Sequence, residues 1–511
     1  MQFYELLHLI QTHLSCHQNK FIAMPVSLQQ KNQHILWRAG FGVDAKNIAT
    51  IATVKTKDLI NNLFATTAAN IEYFDVADNS LKEIFKSIDD ATKMQDLAKN
   101  RLDSETKKRI RQQSKEDLKN LNLKWFNQMV DGENSLREKM SLFWHNHFSC
   151  RDINIFFQQK LLQEIRTNAL GNFGDLLKAV SKSASMLSFL NNQQNKKQHP
   201  NENFAREVME LFTLGRGNYT EEDIKEAARA FTGWGFNLQG EFQFRKMQHD
   251  DGSKIFLNKT GNFDGDDVLN ILLEQKQTAK YITTKLYKYF VNDEIDIAKI
   301  DWLSKRFFNS NYNITELLKD IFTSDWFYDE KNIGSKIKSP IELLVGIKKQ
   351  LPMQIDNPEI LLLFQKALGQ LLFYPPNVAG WAGGKNWIDS SSLMLRLQIP
   401  RLIKDDDEFA ITTKTDDDQQ MGMKEMYLKK MQNQIGNKFK INAHINWQDY
   451  IKNFENVKRE DLLETVKKIT LQSSNSISNK TIENNIDSSS REAYIKTATI
   501  ALMSCPEYQM C

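Results

Sequence analysis

The sequence predicts a mainly α-helical protein, with a multi-helical globular core, one small β-hairpin insert and a C-terminal helical appendage. Apolar residues recur at spacings of three and four along most of the chain, as they do on the buried face of a helix. One region, Gly240 to Gly261, instead alternates apolar and polar residues around Asp251-Gly252, which is typical of a hairpin with a tight turn. Hydrophobic residues make up 41% of the 511 residues, enough for a large buried core.

The helical spacing is clearest in the middle of the chain. The segments that carry it are Leu136 to Phe148, Phe204 to Leu214, Val268 to Leu273, Tyr281 to Phe290 and Ile314 to Phe327. Pro200 and then Asn201 or Asn203 precede the second segment, and an asparagine at that place predicts an N-cap. Thr220 followed by Asp223 is an aspartate variant of the capping box. We therefore expect a second helix to follow closely after the first.

Composition divides the chain into four predicted parts. Residues 1–30 form an N-terminal helical extension, and residues 31–400 form the helical core that carries the motifs. Residues 401–425, rich in Asp, Thr and Lys, are expected to form an acidic loop. Residues 426–511 form a C-terminal helical segment, with a disordered linker near 472–490 because that stretch has almost no large apolar residues.

Charge and hydropathy argue against two classes of partner. The net charge is only +3, and Lys and Arg are interleaved with Asp and Glu almost everywhere, so no nucleic-acid partner is expected. A bilayer-spanning helix needs about 18 consecutive apolar residues, which this sequence lacks, so no membrane span is expected.

The cysteines and the N-terminus bear on the compartment. The four cysteines, without CxxC spacing, are Cys16, Cys150, Cys505 and Cys511. Such scattered cysteines predict neither a disulfide framework nor a zinc knuckle and are compatible with a reducing compartment. The segment before Lys20 lacks the basic leader of a secretory signal, so we expect a cytoplasmic protein and keep export as the alternative.

The helix predicted at Phe204 to Leu214 carries the most versatile side chains of the chain. Its polar face holds Glu202, Arg206, Glu207 and Glu210. Glu207 and Glu210 are three residues apart and can converge on one point, and Glu202 can pair with Arg206 four residues on. The face is either solvated surface or the wall of a cavity, where paired carboxylates could bind a cation or share a proton.

The following helix places Glu222, Glu226 and Arg229 on its polar side. The connection between the two helices is short, so their charged faces can meet. Arg206 or Arg229 would then cross to a glutamate. A structural salt-bridge network and a functional site are equally compatible with this pattern. Arg229 is a predicted binding residue, together with Trp381 and Trp387.

His145 and His147 lie in the segment LFWHNHF and suggest a metal, because histidine is the commonest transition-metal ligand. Residues two apart on a helix point about 200° from one another, so both can bind one ion only if the segment leaves helical geometry. His147 falls on the apolar side, while His145 faces the other way, near Glu138. The competing interpretation of each is a hydrogen-bonded core histidine.

A second polar cluster, HDDGSK, begins at His249. Asp251 is explained by the turn alone, whereas His249 and Asp250 remain candidate metal ligands. A histidine on a hairpin beside a carboxylate-lined helix pair would complete a mixed nitrogen and oxygen site. Such a site suits iron, manganese or zinc better than calcium.

The segment PPNVAGWAGGKNWI predicts a rigid, glycine-rich loop that carries Trp381 and Trp387. The two tryptophans either line a binding cleft or fill the core. GxxGGK lacks the spacing of a phosphate loop, and no GxSxG or HExxH motif occurs, so serine-hydrolase and zincin mechanisms have no support.

Several of these motifs together resemble a bacterial family catalogued as domain of unknown function 1800. The matching segments are WRAGFG, LFWHNHF, ALGNFGDLL, NENFAREVMELFTLGRGNYTEEDIKEAARAFTGW, HDDGSK, KSPIELLVG, PPNVAGWAGGKNWI and CPEYQ. They follow the family's order from about residue 30 to the C-terminus. The resemblance implies export for many members and a neighbouring protein similar to alkaline-phosphatase-type hydrolases, but no established activity. It favours the functional interpretation of the acidic helix face, because the whole face matches the family motif.

Three functions follow from these patterns. The first is a metal-dependent enzyme, a hydrolase, with Glu207, Glu210, His147 and His249 near an ion and Arg206 stabilising charge on an unknown substrate. The second is a non-enzymatic scaffold that binds a partner such as the phosphatase-like neighbour. The third is a metal-free carboxylate-pair enzyme acting on glycans.

Overall fold

The computed structural model describes residues 26–66, 71–84, 86, 103–237, 239–405, 441–472 and 477–511. Most of the predicted N-terminal extension (1–30) and of the predicted acidic loop (401–425) lies outside the described residues. Within the predicted linker near 472–490, the described part contains the short helix Asn479–Glu483, and Ile482 in it is buried.

The described residues are mainly helical, which confirms the predicted fold class. The α-helices are α1 (Leu28–Arg38), α2 (Thr56–Ala65), α3 (Ser104–Asp131), α4 (Ser135–His147), α5 (Ile155–Asn168), α6 (Phe173–Ser181), α7 (Ala184–Phe189), α8 (Glu202–Glu207), α9 (Glu221–Ala230), α10 (Gly265–Glu274), α11 (Lys276–Phe290), α12 (Ile297–Asn309), α13 (Ile314–Phe322), α14 (Pro340–Gln350), α15 (Glu359–Ala367), α16 (Ser390–Asp405), α17 (Trp447–Lys452), α18 (Leu462–Thr470), α19 (Asn479–Glu483) and α20 (Arg491–Met503). A π-helical segment, Val208–Thr213, continues directly from α8.

The described strands form small antiparallel pairs. The strands are β1 (Trp234–Phe236), β2 (Phe242–Phe244), β3 (Lys254–Phe256), β4 (Lys259–Gly261), β5 (Met353–Ile355) and β6 (Ala443–Ile445). β1 pairs with β2, β3 with β4 and β5 with β6.

The prediction of a single hairpin turning at Asp251-Gly252 is wrong. The region forms two hairpins, and Asp251-Gly252 lies between them. The turn that joins β3 to β4 is Leu257-Asn258, where both residues have positive φ, as a two-residue hairpin turn of type I′ requires. The Asp-Gly pair instead follows Asp250, whose carboxylate accepts the Gly252 N–H at 2.8 Å. The Asp-Gly pair therefore joins two strands, β2 and β3, that do not pair with each other.

The helix starts follow the predicted caps. The Asn201 side chain accepts the N–H of Asn203 at the start of α8. Thr220 and Asp223 form the reciprocal capping box of α9. Because capping depends on residues within one turn, it is readable from sequence.

The apolar side chains pack into two core clusters. The first gathers buried residues of α1, α2, the helices from α4 to α13 and the π-helical segment. The second gathers α3, α14 to α20 and the chain near Phe41. The C-terminal helices thus share a core with α3, where Tyr450 and Tyr508 are buried in the same cluster as Trp125. Among the described residues, no helix combines the length and the apolar character that crossing a bilayer requires.

Candidate functional site

The predicted helix at residues 204–214 changes its geometry half-way. α8 ends at Glu207, and the next six residues are π-helical: the Leu214 N–H donates to the Met209 carbonyl five residues earlier, at 2.9 Å. The prediction of one continuous α-helix is therefore corrected in its second half. π-helical turns are rare and frequently occur at functional sites.

Three side chains from elsewhere in the chain contact carbonyls at the end of the π-helical segment. His147 Nε2 lies 3.2 Å from the Phe212 oxygen, and Tyr281 donates its hydroxyl to the Leu211 oxygen at 3.2 Å. Gln277 donates to the Leu214 oxygen at 3.1 Å. These contacts satisfy carbonyls that the end of a helix leaves without backbone partners.

Arg206 is held by two carboxylates. It pairs with Glu202 at 3.3 Å, as the i,i+4 spacing predicts, and its two terminal nitrogens meet both oxygens of Glu221 at 2.9 and 2.8 Å. The second pair crosses from α8 to α9, so the charged faces of the two helices do meet. Because Glu221 is largely exposed, we expect this pair to add little stability.

Arg229 is also fully engaged. Its Nε and Nη2 donate to Asp250 at 2.8 and 3.3 Å, and its Nη1 donates to Glu226 at 2.8 Å. Glu226 in turn accepts the Ile255 N–H at 2.8 Å. Arg229 thus fastens the β3–β4 hairpin to α9, which is the arrangement that a structural salt-bridge network predicts.

The two central carboxylates differ in their partners. Glu210 accepts the Tyr219 hydroxyl at 2.6 Å and pairs with Arg216 at 3.2 Å. Glu207 is half-buried, and no described residue forms a hydrogen bond or an ion pair with its carboxylate. Burial raises the pKa of Glu207, the nearby charge of Glu210 raises it further, and Arg206 opposes both.

His147 is buried beside the first core cluster. It is 3% exposed and is surrounded by aromatic rings. Its Nε2 contacts the Phe212 carbonyl, whereas its Nδ1 is buried and contacts no polar atom of the described residues. Burial lowers the pKa of His147 well below its ordinary value, and the charge of Lys285 lowers it further. The ring is therefore neutral, with the proton on Nε2 and the lone pair on Nδ1.

His145 points away from His147, as the helical geometry predicts. Its Nε2 accepts the Phe373 N–H at 3.1 Å, and its ring packs against Trp125 and Trp381. Burial lowers the pKa of His145 to about 3, so it is a neutral hydrogen-bond acceptor inside the core.

His249 and Asp250 have close partners as well. His249 Nδ1 lies 2.9 Å from the Thr232 carbonyl oxygen, and the Asp250 N–H donates to the Thr232 hydroxyl at 2.8 Å. Asp250 is the carboxylate that Arg229 holds.

The predicted metal ligands are consequently dispersed. Within the described ranges, no group of three or more His, Cys, Asp or Glu side chains lies together as a metal site would require. Glu207 and Glu210 are brought together, and His147 contacts the same π-helical segment. His145 and the pair of His249 and Asp250 make other contacts.

The two tryptophans of the glycine-rich loop are buried, with 6% of Trp381 and 8% of Trp387 exposed. Asn146, from LFWHNHF, accepts the Trp381 N–H at 2.7 Å and donates to the Trp381 carbonyl at 3.2 Å. Two segments more than 200 residues apart are thus joined by one amide side chain. The position of both tryptophans is that of core residues.

Two titratable residues that the sequence analysis missed lie near these elements. Burial raises the pKa of Asp152 to about 6, and its Oδ2 is buried without a partner among the described residues. Burial lowers the pKa of Lys285 to about 8, and its ammonium lies 5.3 Å from the ring centre of Tyr281. Asp152 precedes the helix-capping Asn154, so in the sequence it resembles an ordinary cap residue. Lys285 is one of several lysines on α11. Neither pattern indicates that the side chain is buried.

Comparison with known proteins gives a family and no function. No curated protein and no solved structure is similar enough to this chain to count as a match. The sequence model of one family matches residues 34–510, which is nearly the whole chain. The chain therefore belongs to the family described as protein of unknown function, DUF1800.

Proposed function

We propose that this protein is an enzyme, a hydrolase, in which the Glu207 carboxylate transfers a proton. One observation carries the proposal. Glu202 and Glu210 are each paired with an arginine, whereas the half-buried Glu207 between them has no partner among the described residues. A carboxylate that burial and a second carboxylate make harder to ionise is characteristic of general acid–base sites.

The neighbours of Glu207 support this role. Glu207 ends α8 at the junction with the π-helical segment, where a change of helical geometry redirects the side chains that follow. Arg206 is fixed between Glu202 and Glu221, close enough to lower the pKa of Glu207. We propose that Arg206 stabilises negative charge on the substrate and that Glu202 positions Arg206.

A divalent iron, manganese or zinc ion is a separate proposal. Metal-bound histidines usually donate their other ring N–H to a backbone carbonyl, and the contact of His147 with the Phe212 carbonyl has this form. Against it, the described residues supply no cluster of three such ligands, and His145, His249 and Asp250 already have other partners. The residues therefore fit a metal poorly, and we assign no catalytic step to one.

Metal analysis tests that second proposal directly. The protein as isolated, a Glu207→Gln variant and a His147→Gln variant would be compared by elemental analysis. Stoichiometric metal in the parent protein that is lost in both variants would support the site. Equal metal content in all three would remove both residues as ligands.

A partner-binding role is favoured by one further observation. The two hairpins and the 3-10 turn between them expose apolar side chains, with 84% of Met247, 62% of Ile255 and 43% of Phe244 accessible. Exposed apolar residues of this kind occur at protein interfaces. A phosphatase-like neighbouring protein would be the partner to test.

A cytoplasmic location is likewise a proposal, for which cell fractionation is the measurement.

Glu207→Gln tests the main proposal. The parent protein would be screened on esters, phosphoesters, glycosides and peptides, and any activity would then be measured in the variant. Removing a general acid–base group lowers kcat/KM by about 100-fold or more, so we expect a loss of that order.

The matched control is Glu222→Gln, because Glu222 lies on α9, is exposed and pairs only with Lys225 among the described residues. It should retain full activity. Full activity in Glu207→Gln, or equal losses in the two variants, would remove Glu207 from the mechanism. If Met247→Glu also abolished binding of the phosphatase-like neighbour, the partner-binding role would replace the enzymatic one.

A further inference from the structure

Four cationic side chains to which the sequence analysis gave no chemistry are almost completely buried near one another. We define the buried cationic cluster as Arg38, Lys139, Lys338 and Arg396, each no more than 1% exposed. They come from α1, α4, the chain just before α14, and α16. Burying a cation costs free energy unless the cation is paired, so each of the four must have partners.

A short backbone pairing brings part of the cluster together. Ile337 and Met510 form an isolated antiparallel bridge, and the Lys338 N–H donates to the Gln509 carbonyl at 2.8 Å. Lys338 and Gln509 are therefore adjacent at this pairing, and Arg396 reaches the same place by donating Nη1 to the Lys338 carbonyl at 3.0 Å.

Several acidic groups act on this region. Glu342 is the buried carboxylate of the group, and Lys139 is its ion-pair partner. Burial alone would raise the pKa of Glu342, but the charge and hydrogen bond of Lys139 hold it at about 2. Lys338 has no carboxylate in contact among the described residues: its ammonium donates to the Tyr508 carbonyl at 2.5 Å and lies 3.7 Å from the centre of the Trp37 ring. Cys511 adds negative charge near Arg38 and Lys338, Asp293 near Arg38, and Asp389 near Arg396. None of these groups accepts a hydrogen bond from Nε or Nη2 of Arg396.

Hydrogen-bond donors remain unsatisfied at the same place. Nε and Nη2 of Arg396 are buried and have no partner among the described residues, and neither has the side-chain amide of Gln509. Nε and Nη2 lie on one edge of the guanidinium and point in parallel. This edge is the one that binds two oxygens of a carboxylate or an oxoanion at once.

We propose that the buried cationic cluster holds one compact oxoanion, phosphate or sulfate, between the Nε and Nη2 edge of Arg396 and the side-chain amide of Gln509, beside Lys338. The anion accepts hydrogen bonds from the unsatisfied donors of Arg396 and Gln509. It thereby ties α16 and the chain at residues 509–511 to the start of α14. The site is independent of the proposed role of Glu207.

The first test is chemical release from the full-length parent protein. The protein is exchanged into a buffer without phosphate or sulfate and then denatured, and the released anions are quantified by ion chromatography. Stoichiometric phosphate or sulfate is the expected result, and which of the two is found identifies the anion. Release of no oxoanion, or of chloride alone, would overturn the proposal.

The second test compares thermal unfolding midpoints in sodium phosphate, sulfate and chloride at constant ionic strength. For a bound anion in a chain of this length, each tenfold rise above the dissociation constant should raise Tm by about 1 °C. Arg396→Met should lose this dependence. Arg401→Met, an exposed arginine of the same helix, should keep it.

Equal slopes in the parent protein and in both variants would mean that the anions act only through the solvent, which would contradict the site. If Arg396→Met does not fold, Gln509→Leu takes its place in the comparison. The release measurement on the parent protein decides the question without any variant.

Discussion

The carboxylate of Glu207 is half-buried beside the carboxylate of Glu210, and both effects make its ionised form less stable in the folded protein. Its carboxylate carries no ion pair from the described residues that would offset this. Residues selected for chemistry often reduce stability in this way, because the property that makes them reactive is a poor fit to the folded state. The effect of the Glu207 charge on the stability of the protein should therefore be measurable without a known substrate.

We expect Glu207→Gln to be more stable than the parent protein at pH 7. The folded pKa of Glu207 lies above its ordinary value of 4.5, so between these two values the folded state binds more proton than the unfolded state. Parent stability from this group therefore falls as pH rises through that window. The variant lacks the group, so its advantage should appear above pH 4.5 and vanish below it.

Chemical denaturation at a series of pH values measures this difference, with Glu222→Gln as the exposed control. A Glu207→Gln variant that is less stable than the parent at pH 7 would show that the carboxylate has a favourable partner. A difference that does not change with pH would show that the substitution acts through packing.

At the scale of elements, the sequence predicted those features that depend only on neighbouring residues. Asn201 and the pair of Thr220 and Asp223 act within one helical turn, so their roles as caps could be predicted. The π-helical segment could not be predicted, because the side chains that contact its last carbonyls include His147 and Tyr281, which lie far away in the sequence. The lack of an ion-pair partner for Glu207 could not be predicted either, because it depends on the pairing of Arg206 with Glu221 on the next helix.

The glycine-rich loop shows a long-range constraint that can be tested with two substitutions. Gly380 and Gly383 both have positive φ, 79° and 73°, so an alanine at either position bears backbone strain. A Cβ at Gly380 would overlap Asn146 Oδ1 and lie 2.5 Å from Ser149 Oγ, whereas at Gly383 it would meet nothing within 4 Å.

Gly380→Ala should therefore lose stability beyond the loss in Gly383→Ala, by about 1–3 kcal/mol, the usual cost of overpacking. Urea unfolding of both variants measures the difference. Equal losses would mean that the contact between Asn146 and Trp381 yields easily, and that the loop is not fixed against α4.

At the scale of the whole molecule, the two core clusters meet along α4. Met140 and Trp144 pack in the first cluster, whereas Leu142 on the same helix packs in the second. Glu138, 1% exposed, lies at this junction. Apolar periodicity predicted a helix here, but it could not predict that opposite faces would serve two separate cores.

Glu138 is the carboxylate on which three helices converge. It accepts the Trp125 indole N–H from α3 at 2.8 Å and is paired with Arg166 from α5 at 2.7 Å. Arg166 is itself 3% exposed, so neither charge of the pair reaches solvent readily. Removing one partner of a buried pair leaves the other charge uncompensated, which typically costs about 3–5 kcal/mol.

Arg166→Met should accordingly destabilise the protein by about that amount, 3–5 kcal/mol, in equilibrium denaturation. Arg306→Met provides the control, because Arg306 pairs with Asp320 while 53% exposed, and its loss should cost no more than about 1 kcal/mol.

The double variant Arg166→Met with Glu138→Gln removes the uncompensated charge of Glu138 and should recover part of the stability. Because Glu138 joins elements of both clusters, we expect one unfolding transition for the parent protein and two for Arg166→Met. A small loss equal to that of Arg306→Met, with one transition retained, would show that water reaches Glu138 and that this pair does not couple the two cores.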